Sequence, residues 1–105
     1  MTGHPGVVTV LVVDDEEPIR NALRKFLKQQ QFEVFSAGSA EEALQQLRLH
    51  KVTLMLSDIR MPGTSGVDLV PQALEIEPDL AILMLTAVND ATSAALCMQR
   101  GAMDY

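Results

Sequence analysis

The sequence predicts an α/β fold built on a doubly wound parallel sheet. Three observations point there: nearly continuous apolar runs at 7–13, 52–56 and 80–85, stretches of helical period between them, and strict alternation of the two along 105 residues. Unbroken apolar runs suit strands covered on both faces, whereas a half-solvated strand would alternate. Strand–helix–strand order implies right-handed crossovers, which place helices on either side of a parallel sheet. With 48% hydrophobic residues, a chain of this size can bury one core, so a single domain is expected over 1–105, with a flexible leader at 1–6.

The first strand is read at 7–13. Pro18 suits the first turn of the helix that follows, behind acidic residues, and Ile19, Leu23, Phe26 and Leu27 recur on one face at spacings of three and four. A shorter run at 32–37, interrupted by polar groups, reads as an edge strand. Ser39 with Glu42 matches a capping box, and Ala40, Ala43, Leu44 and Leu47 form the stripe of a second helix. After the strand at 52–56, Gly66 precedes Val67, Val70, Ala73 and Leu74. Pro71 would remove an internal hydrogen bond from a helix begun near Gly66, so a late start or a kink is expected in this third helix. Beyond the strand at 80–85, Asn89 or Asp90 caps a fourth helix through Ala91, Ala94, Ala95 and Met98, ending before Gly101 and leaving Asp104 and Tyr105 as a stub.

Charge and composition narrow the function. The net charge of -6, with 14 acidic against 8 basic residues, is the wrong sign for neutralising phosphates, so direct nucleic-acid binding is not expected. Cys97 is the only cysteine, set between Leu96 and Met98, and reads as a small buried hydrophobe in a reducing, cytoplasmic setting. No apolar segment is long enough to cross a bilayer and the leader carries no targeting pattern, so no membrane role is expected. His50 reads as a cation near a helix C-terminus and His4 lies in the leader, which leaves neither as a phosphate carrier.

In doubly wound sheets, function collects at the carboxyl ends of the strands. There the chain places Asp14, Asp15, Glu16 and Glu17 after strand one, Asp58 after strand three, and Thr86 then Ala87 after strand four. Each has a plainer reading: the acidic run suits the first turn of a helix, Asp58 suits the start of a turn toward Pro62 and Gly63, and Thr86 suits a strand end. Taken together, carboxylates about 4 Å apart repel by roughly 4 kcal/mol at an effective dielectric near 20, so such a cluster holds protons or recruits a cation. With oxygen donors and no nearby His or Cys, the cation expected is Mg²⁺, or Mn²⁺ in its place.

The segment 57–66, with Asp58, Met61, Pro62 and Gly66 at fixed offsets, resembles the acceptor loop of response-regulator receiver domains. Val13 to Glu16, then Leu85, Thr86 and Ala87, then Gly101 to Tyr105 extend the resemblance over essentially the whole chain. It implies a flavodoxin-like receiver fold with strand order 2-1-3-4-5, strand five only a stub and helix five absent. It also implies roles: Asp58 as phosphoacceptor, Asp15 as direct Mg²⁺ ligand, Asp14 acting chiefly through metal-bound water, and the backbone carbonyl of Arg60 completing the protein ligands. Thr86 would bond a phosphoryl oxygen, Ala87 would leave room for its movement, and Tyr105 would be the switch aromatic. The implied partners are a sensor histidine kinase or phosphotransfer protein and an output domain or protein.

Two departures stand out. The family places a Lys three positions after the switch aromatic, and this sequence ends at Tyr105; Gln31 also stands where Gly often precedes strand two. A sheet face lacking its second helix is expected to leave apolar side chains uncovered at about 1.5 to 3 kcal/mol each, which favours a homodimer joined through that side. A haloacid-dehalogenase-like phosphatase is disfavoured because Asp14 and Asp15 are adjacent and not Asp-x-Asp, and a dinucleotide-binding domain because no Gly-x-Gly-x-x-Gly follows strand one. The main rival is a receiver fold used as a docking or dimerisation module without phosphorylation.

Overall fold

The computed structural model describes residues 8–59, 63 and 65–85. Four parallel strands, β1 (Thr9–Val13), β2 (Glu33–Ala37), β3 (Leu54–Asp58) and β4 (Ala81–Leu85), alternate with helices α1 (Glu17–Gln29), α2 (Ala40–Leu49) and α3 (Gly66–Ile76). The strand order is β2-β1-β3-β4, as the family resemblance implies. The expected fourth helix, Cys97 and the strand-five stub lie outside the described residues.

Alternate side chains of β1 sort to opposite faces of the sheet, as the two-residue period of a strand dictates. Leu11 and Val13 join Ala40, Ala43, Leu47, Leu69, Val70 and Ala73 in the larger core under α2 and α3. Val10 and Val12 join Leu27, with Leu23, Val34, Leu54 and Leu56 partly buried around them, in the smaller core under α1. Burial on both faces therefore holds for β1, whereas β3 and β4 alternate. Met55, Ser57, Ile82 and Met84 are buried, while Leu54, Leu56 and Leu83 on the α1 side are half-buried and Leu85 is exposed.

Two sequence expectations for the helices need correction. The inward stripe of α1 expected from the spacing includes Ile19 and Phe26, yet they are 44% and 57% exposed, and Leu27 is the buried residue. The helix is rotated so that Arg20, Leu23 and Leu27, at spacings of three and four, face inward, and α1 lies across β1 and β2. The late start expected for α3 does not occur: the helix begins at Gly66 with Pro71 inside it. Ser65 Oγ accepts from Asp68 N at 3.3 Å, and Gly66 N donates to the Ile59 carbonyl at 2.7 Å, so the N-terminus is anchored ahead of the proline.

Other local chemistry follows the residues. Ser39 caps α2 by accepting from Glu42 N at 3.1 Å. Gln31, at φ 70, takes the left-handed position after α1, where Gln31 N donates to Lys28 O and Phe32 N to Leu27 O in a Schellman arrangement. His50 caps the C-terminus of α2 and stacks on Phe35 with ring centroids 3.9 Å apart.

Candidate functional site

Strand register builds the site. Ala37, Val13, Ser57 and Met84 stand in one row across the sheet, so Asp14 and Asp58 both fall one residue further, at the carboxyl edge. Asp58 is the last residue of β3, opposite Leu85, and Ile59 N donates to Leu85 O at 3.1 Å. Asp14 and Asp15 occupy the turn from β1 into α1. One carboxylate oxygen from each of Asp14, Asp15 and Asp58 lies within 4.8 Å of the others. Asp14 is buried, Asp58 half-buried and Asp15 exposed, so the cluster opens to solvent on one side.

The acidic run divides by position. Glu17 stands in the first turn of α1, where a carboxylate complements the helix dipole, and Glu16 is the N-cap residue. The Glu16 backbone N–H donates to Asp14 Oδ1 at 2.9 Å, the Asp14 N–H donates to Ala37 O at 3.1 Å, and the Asp14 carbonyl accepts from Arg20 Nη1 at 2.8 Å. Sequence reading did not single out Arg20. Its signal was a cation three and seven residues before Leu23 and Leu27, on the inward face of an amphipathic helix.

The Asp58 side of the cluster is braced by α3. A Cβ added to Gly66 would stand 2.2 Å from the Asp58 carbonyl oxygen and 2.8 Å from Ile59 Cα, so only glycine lets the helix approach the loop this closely. Ser57, fully buried, donates from Oγ to the Asp58 carbonyl at 3.1 Å. Gly63, at φ 77, holds the left-handed conformation that a turn after Asp58 uses. Arg60, Met61, Pro62, Thr86, Ala87 and Tyr105 lie outside the described residues.

Three oxygen donors from carboxylates, two of them adjacent in a turn and one facing them from the neighbouring strand, form a donor set that fits a hard divalent cation. Residues 10–105 match the family model for the response regulator receiver domain. The chain belongs to that family. Receiver domains are signalling domains with a phosphoacceptor function that bind Mg²⁺ at an acidic pocket, and in this chain Asp14, Asp15 and Asp58 form an acidic cluster with the geometry to hold a metal ion.

The relatives agree in fold and in sequence. The C4-dicarboxylate transport transcriptional regulatory protein DctD of Rhizobium meliloti is 36% identical over 97 residues, covering 92% of this chain and 21% of that protein. The alkaline phosphatase synthesis transcriptional regulatory protein PhoP of Bacillus subtilis is 34% identical, covering 91% of this chain and 40% of its own length. The chain thus spans well under half the length of these curated relatives. A response regulator receiver domain protein from Clostridium thermocellum superposes with a TM-score of 0.88 at 31% identity, covering 94% of this chain and 80% of that one. A Burkholderia pseudomallei response regulator, solved with a phosphorylated aspartic acid, a calcium ion and citrate, has a TM-score of 0.88 at 28% identity, covering 93% of this chain and 58% of its own. Among the described residues, no helix is long and apolar enough to cross a membrane.

Proposed function

We propose that this receiver domain accepts a phosphoryl group on Asp58 from a sensor histidine kinase or phosphotransfer protein in the cytoplasm, and that an output domain or protein reads the change. The observation that carries the reading is the convergence of the Asp14, Asp15 and Asp58 carboxylates within 4.8 Å at the carboxyl ends of β1 and β3. A relative solved with a phosphorylated aspartate and a divalent cation supports the same chemistry in this fold.

A carboxylate oxygen of Asp58 attacks phosphorus, forming the O–P bond as the P–N bond of the donor phosphohistidine breaks. The departing imidazole nitrogen keeps the electron pair. Asp14, Asp15 and Asp58 would hold Mg²⁺, or Mn²⁺ in its place, with the Arg60 carbonyl as a further donor. When bound, the cation supplies positive charge against the phosphoryl oxygens of a charge-spread transition state. The hydrogen bonds to Asp14 and the close packing of Gly66 on the Asp58 backbone keep the acids positioned before the donor arrives. Following the resemblance, Met61, Pro62 and Gly66 shape the acceptor loop, Thr86 bonds the transferred group, Ala87 leaves it room, and Tyr105 reports the change.

Intact-mass measurement after treatment with a small phosphodonor and Mg²⁺ tests the acceptor. One added phosphoryl group is expected on the wild type and none on Asp58→Ala, and labelling that survives that substitution would refute the assignment. Thr86→Ala is expected to keep the label and weaken the conformational response. A wild-type chain that takes no label with Mg²⁺ present would favour the unphosphorylated docking module instead.

A further inference from the structure

We infer that Arg20 is a positioning residue for the acidic cluster, acting through the peptide that joins Asp14 to Asp15. The inference rests on the metal reading above. Arg20 Nη1 donates to the Asp14 carbonyl oxygen at 2.8 Å, from the first turn of α1 back across the turn that carries both acids. That carbonyl belongs to the peptide unit linking the two aspartates. Because a peptide is planar, fixing the direction of its C=O fixes the tilt of the whole plane, hence ψ of Asp14 and φ of Asp15 together, and with them the directions in which the two side chains leave the backbone. Asp14 is then held at every polar atom of its backbone, with its N–H on Ala37 O and its carbonyl on Arg20, while its Oδ1 accepts from Glu16 N.

The surroundings leave room for this guanidinium. A Cβ at Gly38, just after β2, would stand 3.2 Å from Arg20 Nη1 and 3.6 Å from its Cζ. The same point is 3.5 Å from Glu42 Oε1 in the first turn of α2, so both side chains border the space that Gly38 leaves open. Arg20 therefore sits where β1, the turn after β2 and α2 meet. The bond it makes is charge-assisted and hence stronger than one between neutral groups. A long side chain on the inward face of an amphipathic helix, ending on a backbone carbonyl, has a clear task in orienting that carbonyl.

Charge and position predict opposite signs, which makes the inference testable. Removing a cation near three carboxylates strengthens Mg²⁺ binding on Coulombic grounds alone. Losing the brace on the Asp14–Asp15 peptide weakens it, because groups that orient metal ligands typically carry about tenfold or more in affinity. Calorimetric titration with Mg²⁺ alone, on the whole chain, compares wild type, Arg20→Met and Arg20→Lys, with the metal-free Tm recorded for each. Arg20→Met keeps the apolar stem and is expected to bind Mg²⁺ about tenfold more weakly. Arg20→Lys keeps the charge but not the fork and is expected to fall between. A residue that only stabilises the fold would lower Tm and leave the affinity of folded protein unchanged. Affinity in Arg20→Met equal to or tighter than wild type overturns the inference; if that variant does not fold, wild-type affinity in Arg20→Lys does so. A wild type that binds no Mg²⁺ would remove the metal reading and this inference together, whereas binding that the substitutions leave intact removes the inference alone.

Discussion

A methyl group at residue 66 would land 2.2 Å from the Asp58 carbonyl oxygen, a backbone atom that cannot rotate away. Alanine is otherwise the better helix former, by about 1 kcal/mol, so the sign of Gly66→Ala tests which effect dominates. Overpacking against backbone is expected to prevail and to destabilise the domain by about 1 to 3 kcal/mol in urea unfolding. An unchanged or raised midpoint would show that α3 can retreat from the loop without loss. Other contributions at this scale are only half visible in sequence. Gln31 stands where a glycine is common in the family, and its φ of 70 gives the reason: the position after α1 is left-handed. Arg20 carried only its spacing, and nothing in the one-dimensional pattern names the carbonyl of Asp14 as its acceptor.

At the scale of elements, caps decided more than propensity. Pro71 argued for a late or kinked α3, but Ser65 and the Gly66–Ile59 hydrogen bond start the helix five residues earlier, and Leu69, Val70 and Ala73 are buried around the proline. Pro71 is exposed, so its ring serves no core contact. Pro71→Ala should therefore restore an interior helical hydrogen bond and stabilise the domain by about 2 kcal/mol, the interior cost of proline less the entropy it removes from the unfolded chain. Thermal unfolding checks this, and a lower Tm would mean that the backbone constraint of Pro71 is needed by the fold. The rotation of α1 illustrates a different limit. Four apolar residues at helical spacing fitted one stripe, but the helix packs with Leu27 buried and Leu23 half-buried against β1, leaving Ile19 and Phe26 exposed.

Over the whole molecule, the site is a charge problem that the fold must hold together. Carboxylate oxygens of three residues within 4.8 Å repel one another when no cation is present. In metal-free, low-salt buffer, Asp58→Asn is expected to stabilise the domain by about 1 kcal/mol, raising Tm by about 4 to 8 °C, with the gain shrinking as salt is added. Mg²⁺ at ten times its dissociation constant should stabilise the wild type by about 1.4 kcal/mol, with a smaller gain in Asp15→Ala. Melting curves across a Mg²⁺ series check both, and a gain in Asp15→Ala equal to that of the wild type would remove Asp15 from the ligand set.

From sequence alone came the class of fold, the elements from β1 through β4, and the three acids, because strand and helix periods and strand-end chemistry are local patterns. The order β2-β1-β3-β4 followed from the family resemblance and is what brings Asp14 and Asp15 beside Asp58, since β1 and β3 are neighbours in space though not in sequence. Only the tertiary structure decided which face of α1 turns inward, where α3 begins, and that Arg20 grips the peptide between two of the acids. Those outcomes depend on distances between segments far apart in the chain, and periodicity within one segment carries no information about them.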